Sequence, residues 1–472
     1  MKFRHQVLRG LPVVLLVCGA LPAAAEAQFT QEGPKLVGTG AIGPAAQGDS
    51  VSLSGDGNTA IVGGPSDNSG LGAVWVFTRS DGVWTQQAKL VGTGAIGPFA
   101  AGQGSSVSLS GDGNTAIVGG LIDNDAAGAA WVFTRSDGVW TQQAKLVGTG
   151  AVGNAAQGAS VSLSGDGNTA IVGGPGDSPP NLGAITSAGA AWVFTRSGGE
   201  WSQQAKLVGT GAIGEADQGL SVSLSGDGNT AIVGGPYDND FAGATWVFTR
   251  SGGAWTQQAK LLGTGAIGEA NQGFSVSLSG DGNTAMVGGP EDNPVPPGLV
   301  PAGAAWVFTR SGGVWTQQGS KLVGIGAIGE ADQGFSVSLS GDGNTAIVGG
   351  PYDNDFAGAT WVFTRSGGVW TQQTKLVGTG IVGLAALQGW SVSLSGDGNT
   401  TIVGGLVDNA GAGAAWVFAQ PVFAGTPGKA NCHGQSVSAL ARQYGGLNSA
   451  AAALGYADVS ALQNAIMGFC GG

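Results

Sequence analysis

The chain has 472 residues, of which only 10% are charged, and its net charge is -12. That balance argues against a nucleic-acid partner, which needs a basic footprint to hold phosphates. With 92 glycines and 18 prolines the composition approaches the low-complexity range, but 14 tryptophans at regular spacing argue for a packed fold.

Residues 1–27 carry Lys2, Arg4 and Arg9, then an apolar run from Leu11 to Leu21, then Ala25-Glu26-Ala27 before Gln28. This pattern predicts a secretory signal peptide cut after Ala27, and hence a secreted or periplasmic protein. The run is too short for a bilayer of about 30 Å, and no other stretch reaches the roughly 18 apolar residues of a membrane helix, so no membrane span is expected. Val17, ahead of Cys18, is larger than the residue expected before a lipidated cysteine.

From residue 50 the sequence repeats. Ser50-Val-Ser-Leu-Ser-Gly-Asp-Gly-Asn-Thr-Ala-Ile-Val-Gly-Gly64 returns almost unchanged six more times, with its turn aspartate at Asp56, Asp112, Asp166, Asp227, Asp281, Asp342 and Asp397. The mean spacing is about 57 residues, too long for one rung of a solenoid. Each unit alternates with period two, breaks at Gly-Asp-Gly-Asn and resumes, which predicts a hairpin. A second strand pair follows, Ala-Trp-Val-Phe-Thr-Arg and Val-Trp-Thr-Gln-Gln-x-Lys-Leu-Val, joined by a glycine-containing turn. Four antiparallel strands per unit, seven times over, predict an all-β, seven-bladed β-propeller spanning residues 28–420.

The ends of the array support closure. Thr30-Gln31 through Lys35-Leu36-Val37-Gly38 copies the fourth strand, whereas the last unit stops after its third, at Trp416-Val-Phe-Ala-Gln420. Residues 29–38 are therefore expected to complete the last blade and remove its open edge. Tryptophans recur on the third strand, from Trp75 to Trp416, and on the fourth, from Trp84 to Trp370. One fixed place per blade predicts packing in the wide outer gaps rather than sugar stacking.

The string Gly-x-Ser-Val-Ser-Leu-Ser-Gly-Asp-Gly-Asn-Thr-Ala-Ile-Val-Gly-Gly-Pro, followed by Gly-Ala-Ala-Trp-Val-Phe, resembles the FG-GAP repeat of integrin α-subunit propellers and of many bacterial exported proteins. The resemblance covers about residues 29–420 and implies the same seven-bladed fold and extracellular interaction roles. Integrin-type repeats often carry a calcium loop, Asp-x-Asp/Asn-x-Asp-Gly, after the first strand. The aligned residues here are Ser52-Leu53-Ser54-Gly55-Asp56-Gly57, and the later ligand position holds Ala60. Calcium takes six to eight oxygens, so one carboxylate per turn predicts a plain hairpin turn and no metal or other cofactor.

Catalysis has little support. The one histidine beyond the leader is His433, outside the propeller, and Glu215–Trp255 nearly duplicates Glu330–Trp370, where a catalytic blade would differ. Two insertions, Pro179–Ala188 and Pro294–Pro301, are rich in small residues and read as spacers. Charge placement says more. The loops between second and third strands share a face with the crossovers between blades, and together they hold Asp49, Asp67, Asp123, Asp125, Asp177, Glu215, Asp217, Asp238, Asp240, Glu269, Glu291, Asp292, Glu330, Asp332, Asp353, Asp355 and Asp408, with no Lys or Arg among them. One strongly negative face is expected, with aromatic residues such as Phe99, Tyr237, Phe274, Phe335, Tyr352 and Trp390 in or beside it. The best contact candidates are the two identical Tyr-Asp-Asn-Asp-Phe loops, contributing Asp238, Asn239, Asp240 and Phe241, and Asp353, Asn354, Asp355 and Phe356.

After Pro421 the pattern becomes helical, over Ser436–Tyr444, Asn448–Leu454 and Asp458–Phe469. So small a module, within residues 421–472, would gain about 2–4 kcal/mol from a Cys432 to Cys470 disulfide, which an exported compartment permits. It resembles a Cys-bounded helical module appended to exported bacterial proteins. The expected function is a monomeric, non-enzymatic binding or adhesion propeller for an extracellular protein or glycan. The alternatives are a carbohydrate-active lyase or glycosidase using loop carboxylates, and a purely structural exported protein.

Overall fold

The structure is a computed structural model, and it describes residues 29–97, 100–178, 187–293, 302–420, 428–443, 446–454, 456 and 458–471. The leader, Phe99 and most of both insertions lie outside the described residues.

Seven four-stranded antiparallel sheets form the blades of a propeller. The first blade comprises Ser50–Leu53, Thr59–Gly64, Ala73–Ser80 and Val83–Leu90, paired in that order, and the other six repeat it. The last blade takes its fourth strand from the other end of the chain: Thr30–Gln31 pairs with Ala414–Ala419. Leu36 extends the pairing through an isolated bridge to Ala415, so the ring closes where the sequence predicted.

Blade radius decides residue size. The innermost strands of neighbouring blades lie side by side, with Ser52 between the buried Val51 and Leu53. The Ser52 hydroxyl accepts the Leu109 N–H of the next blade at 3.1 Å, and Ser108, Ser162, Ser223, Ser277, Ser338 and Ser393 do the same around the whole ring. At the turn end, successive glycines are bonded directly, Gly55 N–H to the Gly111 carbonyl at 2.8 Å, then Gly111 to Gly165 and Gly165 to Gly226. A Cβ at Gly55 would sit 3.0 Å from that carbonyl, so glycine is required for this approach. Further out, Trp75 and its six counterparts are fully buried, and Trp75 shares a core cluster with Val62 and Phe77 of its own blade and with Ile402, Ala415 and Val417 of the neighbouring one.

The fourth-strand tryptophans behave differently. Trp84, Trp140 and the rest are half-buried, each beneath an arginine of its own blade, with Arg79 Cζ 5.4 Å from the Trp84 ring. A register shift opposite Val76 and Phe77 marks a bulge that leaves Gln87 unpaired in the ladder. Gln87 then reaches the next blade, where its Oε1 accepts Arg135 Nη1 at 3.2 Å and Trp140 Nε1 at 2.9 Å. Gln143, Gln204, Gln258 and Gln318 repeat this junction. At the closing junction the chain places Glu32 instead, which takes Arg79 Nη1 at 2.8 Å and Trp84 Nε1 at 3.1 Å. An ion pair therefore stands at the one junction that joins the two ends of the ring.

The C-terminal module is three helices, Cys432–Gln443, Leu447–Ala453 and Val459–Gly471. The first begins four residues ahead of the predicted start. Leu440, Ala450, Leu454, Leu462 and Ile466 form its buried core, and Cys432 is bonded to Cys470. Among the described residues no helix is long and apolar enough to cross a membrane.

Candidate functional site

The loop between second and third strands starts with an aspartate that is buried, not displayed. Asp238 is 0% exposed; its Oδ1 accepts the Ile213 N–H of the incoming crossover at 2.7 Å, and its Oδ2 meets Lys260 Nζ at 2.6 Å. Lys260 rises from the fourth strand of the same blade, over the Trp246 ring at 5.1 Å, and donates to the Gly211 carbonyl at 2.7 Å. The arrangement is sevenfold. Asp67, Asp123, Asp177, Asp292, Asp353 and Asp408 pair with Lys89, Lys145, Lys206, Lys321, Lys375 and Lys35 at 2.5–2.7 Å.

This narrows the face expected to be strongly negative. Seven of its carboxylates are neutralised by lysines that belong, by sequence, to another strand, and Asp238 and Asp353 are posts that hold the crossover rather than exposed contact groups. Ten acids remain: Asp49 and Asp125 on the first two blades, and Glu215, Asp217, Asp240, Glu269, Glu291, Glu330, Asp332 and Asp355 on the fourth to sixth. The negative charge is a sector.

What the two Tyr-Asp-Asn-Asp-Phe loops do display is their second half. After Asp238 the backbone turns left-handed for three residues, with φ of 53° at Asn239, 51° at Asp240 and 65° at Phe241. Asn354, Asp355 and Phe356 repeat it at 52°, 53° and 71°. Asn and Asp tolerate this region, whereas a bulky residue there costs about 1–2 kcal/mol. The matching positions in other blades hold Gly70, Ala126 and Gly411. Both phenylalanines are nonetheless exposed, at 47% and 54%, and each packs edge-on against the tyrosine of its own loop, with centroids 5.4 and 5.6 Å apart.

Between these loops the remaining carboxyls crowd one another. Burial, followed by the charges of Glu330 and Glu269, raises the Glu291 carboxyl above its ordinary range. Asp332 is buried, and desolvation with the charges of Glu291 and Glu330 pushes it up to about 7. The phenol of Tyr352 is raised by burial and then by Asp332, Glu291 and Glu330, and that of Tyr237 by burial and then by Asp217 and Glu291, so Glu291 acts on both loops. At the axis, three aromatic rings on consecutive blades touch: Phe274 and Phe335 at 4.9 Å, Phe335 and Trp390 at 4.5 Å. Beside them burial pushes Asp49 up to about 7, against a hydrogen bond from Trp390 that holds it down.

At the opposite end the turn carboxylates are satisfied by their own hairpins. Asp56 Oδ1 accepts the Ser54 hydroxyl at 2.6 Å and the Asn58 N–H at 2.9 Å, while Oδ2 accepts the Asn58 amide at 3.0 Å. Burial pulls its pKa upward, but these bonds outweigh it and hold the carboxyl below its ordinary value. Residues 140–194 match the FG-GAP repeat family. The chain is a seven-bladed β-propeller, and one stretch of it matches that repeat. The matched span runs from the fourth strand of the second blade to the third strand of the third, the same one-strand offset by which the propeller closes its own ring. Among curated proteins nothing matches it.

Sequence reasoning missed the lysine posts and the bulged glutamines. The invariant Asp in each loop and the invariant Lys seven residues or fewer from each blade's end were both visible; their meeting depends on strand pairing. It also grouped all loop acids together, because residue type alone does not separate a buried Asp238 from an exposed Asp240.

Proposed function

We propose that this propeller is an exported, non-enzymatic binding module whose contact surface is the acidic, aromatic sector of its fourth to sixth blades. The observation that carries this reading is the pair of exposed phenylalanines, Phe241 and Phe356, held at left-handed positions where other blades use glycine or alanine. A side chain kept at a conformational cost, and not buried, points to selection for contact. The neighbouring carboxylates Asp240, Glu269, Glu291, Glu330 and Asp355 would steer a cationic or hydroxyl-rich partner to those rings. The partner is an extracellular protein or glycan, consistent with a cleavable leader and with the disulfide of the C-terminal module.

A glycosidase or lyase is the second reading, favoured by carboxyls such as Asp332 that stay protonated near neutrality. A glycan and surface-protein array, followed by assay of the captured ligand for cleavage, separates the two. Specific capture without products supports the binding module, and released products would replace it with the enzyme.

A further inference from the structure

A cavity of about 480 Å³ opens between the fourth and fifth blades, lined by Phe241, Glu269, Asn271, Glu291 and Asn293. Its wall is tied together by the Asn271 N–H, which donates to the Phe241 carbonyl at 2.8 Å. The side chains around it offer acceptors in excess. Asn271 Oδ1 is buried without a hydrogen-bond partner, and the Glu291 carboxyl beside it lies in the field of Glu330 and Glu269. Buried acceptors left unpaired are costly, so the site is built for a ligand that brings donors. Among the described residues no three acidic, His or Cys groups converge as a metal ligand set, so an organic donor fits better than an ion.

Two features narrow its chemistry. The negative sector calls for positive charge, and the exposed Phe241 ring, braced by Tyr237, offers a flat apolar platform on the cavity rim. A lone ammonium would use the charge but not the ring, and a neutral sugar the ring but not the charge. We propose that this cavity takes a free amino sugar of a glycan, its ring stacked on Phe241 and its ammonium and hydroxyl groups donating to Glu269, Glu291 and Asn271. The inference rests on reading the sector as a binding surface and names the ligand class for one part of it.

Titration calorimetry on the full chain, in mildly acidic, low-salt buffer, tests it with short glucosamine oligosaccharides, their N-acetylated counterparts and spermine. The glucosamine series should bind best, and its affinity should fall at least tenfold in Glu269→Gln with Glu291→Gln. Phe241→Gly should cause a comparable loss while melting higher than the parent, because glycine relieves the left-handed position; a merely structural role for Phe241 would not separate the two readouts. Equal affinity for spermine, or for the N-acetylated sugars, would overturn the assignment, as would unchanged glucosamine binding in either variant. If glucosamine fails to bind while an array-identified partner still depends on Asp240 and Asp355, the amino-sugar inference falls and the binding-module reading stands.

Discussion

Aspartate recurs in every blade at both ends of the propeller, and the two ends spend it differently. At the turn end Asp56 and its six counterparts receive the same serine and asparagine donors seven times over, so each carboxylate is saturated by its own hairpin. At the loop end one aspartate per blade is equally invariant and saturated by lysine, while the acids after it vary from blade to blade and have few partners. Repetition therefore marks architecture, and departure from it marks the candidate surface. Asp238 and Asp240 bring the contrast down to two residues of one loop.

The largest effect should follow removal of residues 29–38, which strips the last blade of its fourth strand and loses both the Lys35 to Asp408 and the Glu32 to Arg79 pairs. Calorimetric unfolding should lose its cooperativity, or the protein should aggregate through the exposed edge. An unchanged melting transition would mean that ring closure contributes nothing. Next, Asp238→Ala should destabilise by about 3–5 kcal/mol, since it leaves Lys260 without its buried partner. Asp240→Asn, which keeps a residue suited to the left-handed backbone, should stay within about 0.5 kcal/mol of the parent, as expected at an exposed site. Equal losses at the two positions, measured by denaturant titration, would erase the distinction between post and contact group.

Much of this was legible in the chain. Period-two alternation, the Gly-Asp-Gly-Asn break and the orphan strand at Thr30 gave blades, count and closure, because each depends on local pattern or on what the array lacks. The lysine posts were not legible, because Lys260 and Asp238 are brought together by the third and fourth strands rather than by sequence spacing. The same holds for Gln87, which matters only because a bulge turns it toward the next blade. The two candidate loops were visible as aromatic and acidic strings, but their left-handed backbone and the burial of Asp238 belong to the fold. The cleavage site after Ala27 lies outside the described residues.

The loop end should also respond to pH in the opposite sense to the turn end. Asp49 and Asp332 keep a proton to about pH 7 when folded but lose it near their ordinary value of 3.8 when unfolded. Their contribution is full below that lower value and is lost as pH rises through about 7. The turn aspartates Asp56, Asp112, Asp166, Asp227, Asp281 and Asp342, whose pKa values are depressed, contribute above the ordinary value and lose that contribution as pH falls. Asp49→Asn should therefore flatten the decline between mildly acidic and neutral pH in thermal melts, and an unaltered slope would show that Asp49 is charged in the fold. A smaller effect is expected at the closing junction. Glu32→Gln restores the neutral contact used by five of the other junctions and should cost about 1 kcal/mol, less in high salt, if charge strengthens closure. A loss that ignores salt would count against that role.

The central claim is that the unpartnered acids of the fourth to sixth blades, and not the acidic chain as a whole, make the contact surface. Its most direct test compares the parent with a variant carrying Asn or Gln at Asp240, Glu269, Glu291, Glu330 and Asp355, on the same array of glycans and surface proteins across a salt series. The account predicts a folded variant that loses specific capture, and parental binding that weakens as salt is added. Undiminished capture by the variant, or an equal loss on changing Arg79 and Arg135 at the opposite end, would contradict it.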